Sequence, residues 1–247
     1  MRALGAAELL HLWEEVDSGR AAERALRLLS AVSADPDRAQ LPGLTIGQRD
    51  AQLLRLRQCT FGDIMQAQTA CPQCGERLEF AVPAAELLTP CVSADSVATV
   101  WHDYSVGDWR FRFRLPDSTD LMAIAGDDDV AGHRGRLLAR CVAEARQGDK
   151  GVEINALPED VISEIVARME SLDPCADISL ALTCPGCETG WDAQFDILGY
   201  LWAEVSIHAR RLLREVDVLA RVYGWREADI LALSSRRRRA YLDMCGA

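Results

Sequence analysis

The sequence predicts an α+β fold that is mostly helical, and three observations carry that prediction. Apolar residues recur at helical spacing over much of the chain. The run from Trp109 to Leu115 alternates between apolar residues and arginine, as a half-buried strand does. Two Cys-Pro-x-Cys motifs, Cys71-Pro72-Gln73-Cys74 and Cys184-Pro185-Gly186-Cys187, each lead into alternating sequence.

Taken in order, residues 3–17 place Leu4, Leu9, Leu12, Trp13 and Val16 along one side of a helix. Residues 21–33 do the same with Ala25, Leu26, Leu28, Leu29 and Val32, and Asp35-Pro36-Asp37 breaks the pattern. A third helix starts near Thr45 and carries Ile46, Leu53, Leu54 and Leu56. Beyond the first Cys motif, Pro83 and Pro90 bracket a helical turn at Ala84–Leu88. Val97–Val106 and Trp109–Leu115, separated by Gly107-Asp108, read as a β-hairpin. One face of it is apolar (Trp109, Phe111, Phe113, Leu115) and the other presents Arg110, Arg112 and Arg114.

Pro116 to Asp120 then caps a helix through Leu121, Met122 and Ile124. Residues 134–146 read as helix on Leu137, Leu138, Cys141, Val142 and Ala145, and residues 147–151 as a turn. At Leu157-Pro158-Glu159-Asp160 another helix begins, with proline near its first position and acid facing the positive end of its dipole. Asp173-Pro174 stops it. Residues 176–183 alternate as a strand into the second motif. A long helix over 198–223 shares Val205, Ala209, Leu212, Leu213, Val216, Leu219 and Tyr223 on one face, and Gly224 ends it. Two short helices, 226–233 and 236–245, finish the chain, with Ser234 and Ser235 as capping residues.

The cysteines carry the chemistry. A pair two residues apart can aim both sulfurs at one ion, and two pairs complete the four-thiolate tetrahedron that zinc prefers. Each motif is followed, seven residues after its first cysteine, by an apolar side chain (Leu78 and Trp191), and farther on by Phe80 and Phe195. We therefore expect Cys71, Cys74, Cys184 and Cys187 to hold one zinc ion. Residues 75 to 183 intervene, far more than the roughly 15–20 residues of a compact ribbon. Closing the longer loop costs only about 0.6 kcal/mol per doubling of its length, so the excursion must fold by itself. Two separate redox pairs are the competing reading. A thioredoxin-like site, however, needs a strand-to-helix turn, and both motifs lead into strand-like sequence. The five other cysteines, Cys59, Cys91, Cys141, Cys175 and Cys245, are scattered and odd in number. That argues against a disulfide framework and for most of them being small buried apolar residues.

The implied organisation is an N-terminal helical lobe (1–66), a zinc ribbon split between 67–82 and 176–196, an inserted hairpin with helices (83–175), and a C-terminal helical segment (197–247). The formal charge of −11 disfavours nonspecific binding to nucleic acid or anionic membrane. No apolar run approaches the ~20 residues that cross a bilayer. The N-terminus becomes charged too early for a signal peptide, so we expect a cytoplasmic protein, in which paired Cys-x-x-Cys motifs mean metal.

Catalytic signatures are missing. The sequence holds no Gly-rich phosphate loop, His-Glu-x-x-His or nucleophile elbow. His11, His102, His133 and His208 are scattered. The acidic loop Asp127-Asp128-Asp129 lacks the spacing of a calcium loop. Four thiolates on zinc leave no open coordination position, so we expect no enzyme. The run Arg236-Arg237-Arg238-Arg239 tops a tail with nine Arg against six Asp and Glu from residue 198 onward. It reads as a solvated or partner-facing helix, and the hairpin arginines as a solvated face beside acidic neighbours. A zinc-ribbon nucleic-acid-binding or regulatory protein is the alternative that would use both arginine groups.

Several stretches also carry a resemblance. They are Thr69–Phe80 around the first motif, Leu157–Pro174, Ala176–Cys187 continuing through Phe195–Val205, and Leu219–Ser234. Together they resemble a zinc-ribbon-containing family encoded in the tail-module clusters of contractile phages and phage-tail-like injection systems. That family is similar to the baseplate hub assembly chaperone of T-even phages. The resemblance implies a non-enzymatic protein that helps build, or stays within, a baseplate, with hub, baseplate or other tail proteins as partners. It carries the metal ligands over onto Cys71, Cys74, Cys184 and Cys187. Glu188 stands where such second knuckles often have Gly, which implies an altered turn.

Overall fold

In a computed structural model of the protein, several helices begin where a short polar side chain accepts from a free N–H group of the first turn. The structure describes residues 1–15, 20–34, 37–91, 100–125 and 132–246. Its first part is helical: α1 (Ala6–Glu15), α2 (Ala21–Val32), the short α3 (Asp37–Gln40) and α4 (Ile46–Phe61). Thr45 caps α4 reciprocally: Gln48 N–H donates to Thr45 Oγ1 at 3.2 Å and Thr45 N–H to Gln48 Oε1 at 2.9 Å. A first hairpin, β1 (Ile64–Ala70) and β2 (Arg77–Pro83), holds the first Cys motif at its tip, and α5 (Ala84–Leu88) follows.

The long excursion contains β3 (Trp101–Val106), β4 (Trp109–Arg114), α6 (Ser118–Ile124), α7 (His133–Cys141), β5 (Val142–Gln147), β6 (Lys150–Gly151) and α8 (Glu159–Leu172). Asp117 caps α6, accepting from the N–H groups of Thr119 and Asp120 at 2.8 and 3.0 Å. The second hairpin, β7 (Ser179–Thr183) and β8 (Gly190–Gln194), carries the second motif. Then come α9 (Ile197–Tyr223), α10 (Glu227–Ala232) and α11 (Ser235–Met244). Gly224, with φ +69°, ends α9 in the left-handed conformation that glycine adopts without strain. The chain is α+β, as expected.

Its main core joins α1, α2 and α4 to the first half of α9, through Leu9, Leu28, Leu53, Leu201 and Val205, with Met65 of β1 inserted. Each such side chain contributes roughly 1.5–3 kcal/mol on burial. Arg57 of α4 sends Nε and Nη2 to the two carboxylate oxygens of Glu204 on α9, at 2.8 and 2.6 Å. That two-point contact fixes the rotation of one helix against the other. The second half of α9 carries Leu219 into a smaller core with Ile230 and Leu242.

The excursion has its own core. Phe111 and Phe113 face Leu138, Val161 and Ile165 beneath an antiparallel sheet ordered β3-β4-β5-β6. This is larger than the hairpin the sequence suggests. The expected helix at 134–146 also ends early, at Cys141, and continues as β5. A register shift between Arg112 and Phe113 explains how: Phe111 pairs with Ala145 but Phe113 with Val142. Such a bulge lets Val142 and Ala145, three residues apart, both face the core.

Among the arginines of β4, Arg112 lies in register between Asp103 and Glu144. Arg110 sits 3.8 Å from Asp149. Arg114 departs from the solvated face, gripping the buried Asp120 at 2.6 and 2.8 Å. The C-terminal run divides likewise. Arg236, Arg237 and Arg239 are exposed, whereas Arg238 is buried and donates to Glu215 of α9 at 2.6 Å. Cys91 and Cys175 are buried, as expected of most of the scattered cysteines, but they are joined as a disulfide, which corrects the reading against disulfides among them. Val16, Asp35-Pro36, the start of the first hairpin run at 97–99 and the loop Asp127-Asp128-Asp129 lie outside the described residues. Among the described residues no helix is long and apolar enough to cross a membrane.

Candidate metal centre

Each Cys motif is the tip of a two-stranded hairpin, and the two tips are built alike. Cys71 N–H donates to Glu76 O at 2.8 Å, and Gly75 N–H to Cys71 O at 2.9 Å. In the second tip Cys184 N–H donates to Thr189 O at 2.9 Å, and Glu188 N–H to Cys184 O at 2.9 Å. The repeated pair of bonds folds each backbone around its two sulfurs. It requires a left-handed residue four positions after the first cysteine: Gly75 at φ +76° and Glu188 at φ +58°. Glu188 is the one non-glycine residue with positive φ among those described. The substitution of Glu for Gly therefore does not alter the turn, contrary to expectation; the turn is kept at a backbone cost.

The tips meet. Cys71 Sγ lies 3.7 Å from Cys187 Sγ, and Cys74 Sγ 3.6 Å from Cys184 Sγ. All four sulfurs fall within 4.8 Å of one another. A tetrahedron with metal–sulfur bonds near 2.3 Å has edges of about 3.8 Å, so the spacing fits one thiolate-bound ion. Cys71 and Cys184 are buried, while Cys74 and Cys187 face solvent. The sulfurs also perturb one another. The Glu76 N–H favours the Cys74 thiolate, yet the Cys187 and Cys184 sulfurs outweigh it and push Cys74 up to about 12. Contacts from the Thr189 hydroxyl and N–H, with Cys74, hold Cys187 down to about 6.

Positioning comes from the start of α9. Tyr200 Oη donates to Gln66 O of β1 at 2.9 Å, and its ring lies 5.5 Å from that of Phe195, just past β8. One side chain thus ties both hairpins to a single helix. Sequence reasoning assigned Tyr200 no role, because its spacing from the cysteines gives no sign of the contact. The second hairpin is further set by Asp196, whose Oδ1 accepts from Gly199 N–H at 3.0 Å and caps α9.

No other group of three or more His, Cys, Asp or Glu gathers its donor atoms among the described residues. His208 stacks on Phe61 at 4.6 Å, His102 tilts against Phe113 at 5.6 Å, and His11 pairs with Glu15 at 3.3 Å. These are packing and surface contacts, and the histidines do not converge.

Residues 7–196 match the model of a family described as T4 bacteriophage base plate protein. The match covers well over half of the chain, includes both Cys tips, and stops one residue before α9. It does not extend over the stretches from Ile197 onward that contribute to the resemblance in the sequence. No curated protein and no solved structure matches the chain.

Proposed function

This chain belongs to the T4 bacteriophage base plate protein family. From that premise we propose that it is a non-enzymatic, chaperone-like or structural component of the baseplate of a contractile phage-tail-like injection system. The family match over residues 7–196 carries this reading. The four-sulfur cluster supplies its physical basis. A zinc ion held by Cys71, Cys74, Cys184 and Cys187 would have all four positions filled by protein, the mark of a structural site. It would clamp two hairpins that stand at opposite ends of the excursion. The insertion is then the unit whose two ends the clamp draws together, while the N-terminal lobe and the C-terminal segment share the main core.

The partners in this reading are hub, baseplate or other tail proteins, met in the cytoplasm during assembly. Nucleic-acid binding is disfavoured because two of the arginines that would carry it, Arg114 and Arg238, are held by Asp120 and Glu215.

Affinity capture of the tagged chain from its native host, with mass spectrometry of the captured proteins and of purified particles, tests the proposal. Tail proteins should be recovered with the chain. Its presence in finished particles identifies a permanent component, and its absence a chaperone that leaves. Recovery of DNA with steep salt dependence, without tail proteins, would overturn the reading in favour of a nucleic-acid-binding protein.

A further inference from the structure

Cys91, just after α5, and Cys175, between α8 and β7, lie at the two ends of the excursion, with Cα atoms 5.7 Å apart and their sulfurs joined. Both are buried against Ala51 of α4 and against Leu88. That pocket receives the same end of the excursion at a second point, since Asp173 accepts from Gly47 N–H of α4 at 2.9 Å. The pair is separate in sequence and in packing from the four-sulfur cluster. We propose that Cys91 and Cys175 form a reversible thiol–disulfide site that closes the base of the excursion covalently in oxidising surroundings and opens it in reducing ones.

The geometry suits the closed state and offers the open one an acceptor. The Cα separation lies in the range of native disulfides. The Leu87 carbonyl oxygen stands 3.3 Å from Cys91 Sγ and 4.0 Å from Cys175 Sγ, an acceptor for a thiol proton when the pair is reduced. A low-molecular-weight disulfide such as oxidised glutathione serves as oxidant. One cysteine thiol loses its proton and its sulfur attacks the S–S bond of the oxidant. That bond breaks, a mixed disulfide forms, and the departing thiolate takes up the proton. The second cysteine then loses its proton, displaces the remaining small thiolate and closes the protein disulfide. Two protein thiols are oxidised, and one small disulfide is reduced to two thiols. Burial makes both directions wait on local opening, so exchange is slow in the native protein.

Native zinc-loaded protein, equilibrated in reduced or in oxidised glutathione, is denatured and alkylated, and its mass and peptide map are measured. The oxidised sample should lack two alkyl groups and yield one cross-linked peptide containing Cys91 and Cys175. Its melting temperature should exceed that of the reduced sample by about 5–10 °C, with metal content unchanged. The double variant Cys91→Ala/Cys175→Ala should melt with the reduced protein and ignore the buffer. Full alkylation of both cysteines in the oxidised sample would overturn the proposal, as would cross-links through Cys71, Cys74, Cys184 or Cys187. A double variant whose melting still follows the buffer would overturn it too. Should that variant fail to fold, the wild-type peptide map decides alone.

Discussion

Glu188 occupies in the second hairpin tip the backbone position that Gly75 occupies in the first, and both are left-handed, at φ +58° and +76°. A side chain at that φ costs on the order of 1 kcal/mol that glycine avoids. Glu188→Gly should therefore raise stability by up to about 1 kcal/mol, offset in part by the greater freedom of glycine in the unfolded chain. Gly75→Ala should lower it by a similar amount. Thermal melts of both variants at fixed metal content check the pair; equal melting points would show that the two tips are not equivalent turns.

Gly47 is fixed by a different constraint. A Cβ there would collide with the carboxylate of Asp173 and lie 2.8 Å from the backbone nitrogen of Ala176. Because the latter is backbone, the end of the excursion would have to move off α4. Gly47→Ala should destabilise the protein by about 1–3 kcal/mol, despite the higher helix propensity of alanine. Denaturant melts measure it, and a gain in stability would mean the contact is slack.

Two buried aspartates should respond to pH with opposite signs. Burial works against the charge of Asp120, but Arg114, the Asp117 N–H and Arg140 outweigh it and hold the carboxyl at about 2. The stabilisation from that group is complete above the ordinary carboxylate range, near pH 4, and is lost as pH falls towards 2. Desolvation instead raises Asp173, with the Gly47 N–H only partly opposing it. Its contribution is best at acid pH and declines as pH rises through the raised value. Asp120→Asn leaves Arg114 and Arg140 without their anion and should cost about 3 kcal/mol at pH 7. That deficit should shrink at pH 2.5, as urea melts at the two pH values would show.

Tyr200→Phe removes the hydroxyl that donates to Gln66 O but keeps the ring against Phe195. The expected loss is about 1 kcal/mol, together with faster metal release to a chelator, because the first hairpin is less firmly set. An unchanged release rate would limit the role of Tyr200 to packing.

The four-sulfur cluster was legible in the sequence because its signal is local: two Cys-Pro-x-Cys motifs, each opening into an alternating strand. The helix starts at Thr45 and Ser234 were legible for the same reason, since capping is decided within four residues. What escaped was set by distant partners. Val142 and Ala145 stand at helical spacing, and only the bulge opposite Phe113 turns that spacing into a strand. β1 begins its run with Ile64 and Met65 and continues through small and polar residues, so little in it announces a strand before it pairs with β2. Cys91 and Cys175 are ordinary apolar cysteines until folding brings them together across the excursion. Arg238 reads as one of four surface arginines, and only the approach of Glu215 from α9 distinguishes it.

The central claim is that the sulfurs of Cys71, Cys74, Cys184 and Cys187 bind a single zinc ion and so join two distant hairpins. X-ray absorption at the zinc edge, on protein purified without added metal, tests it most directly. The account predicts one zinc per chain in a shell of four sulfurs near 2.3 Å, with both metal and fold lost in Cys71→Ser and in Cys184→Ser. A folded protein without stoichiometric zinc, or a shell containing nitrogen or oxygen in place of a sulfur, would contradict it.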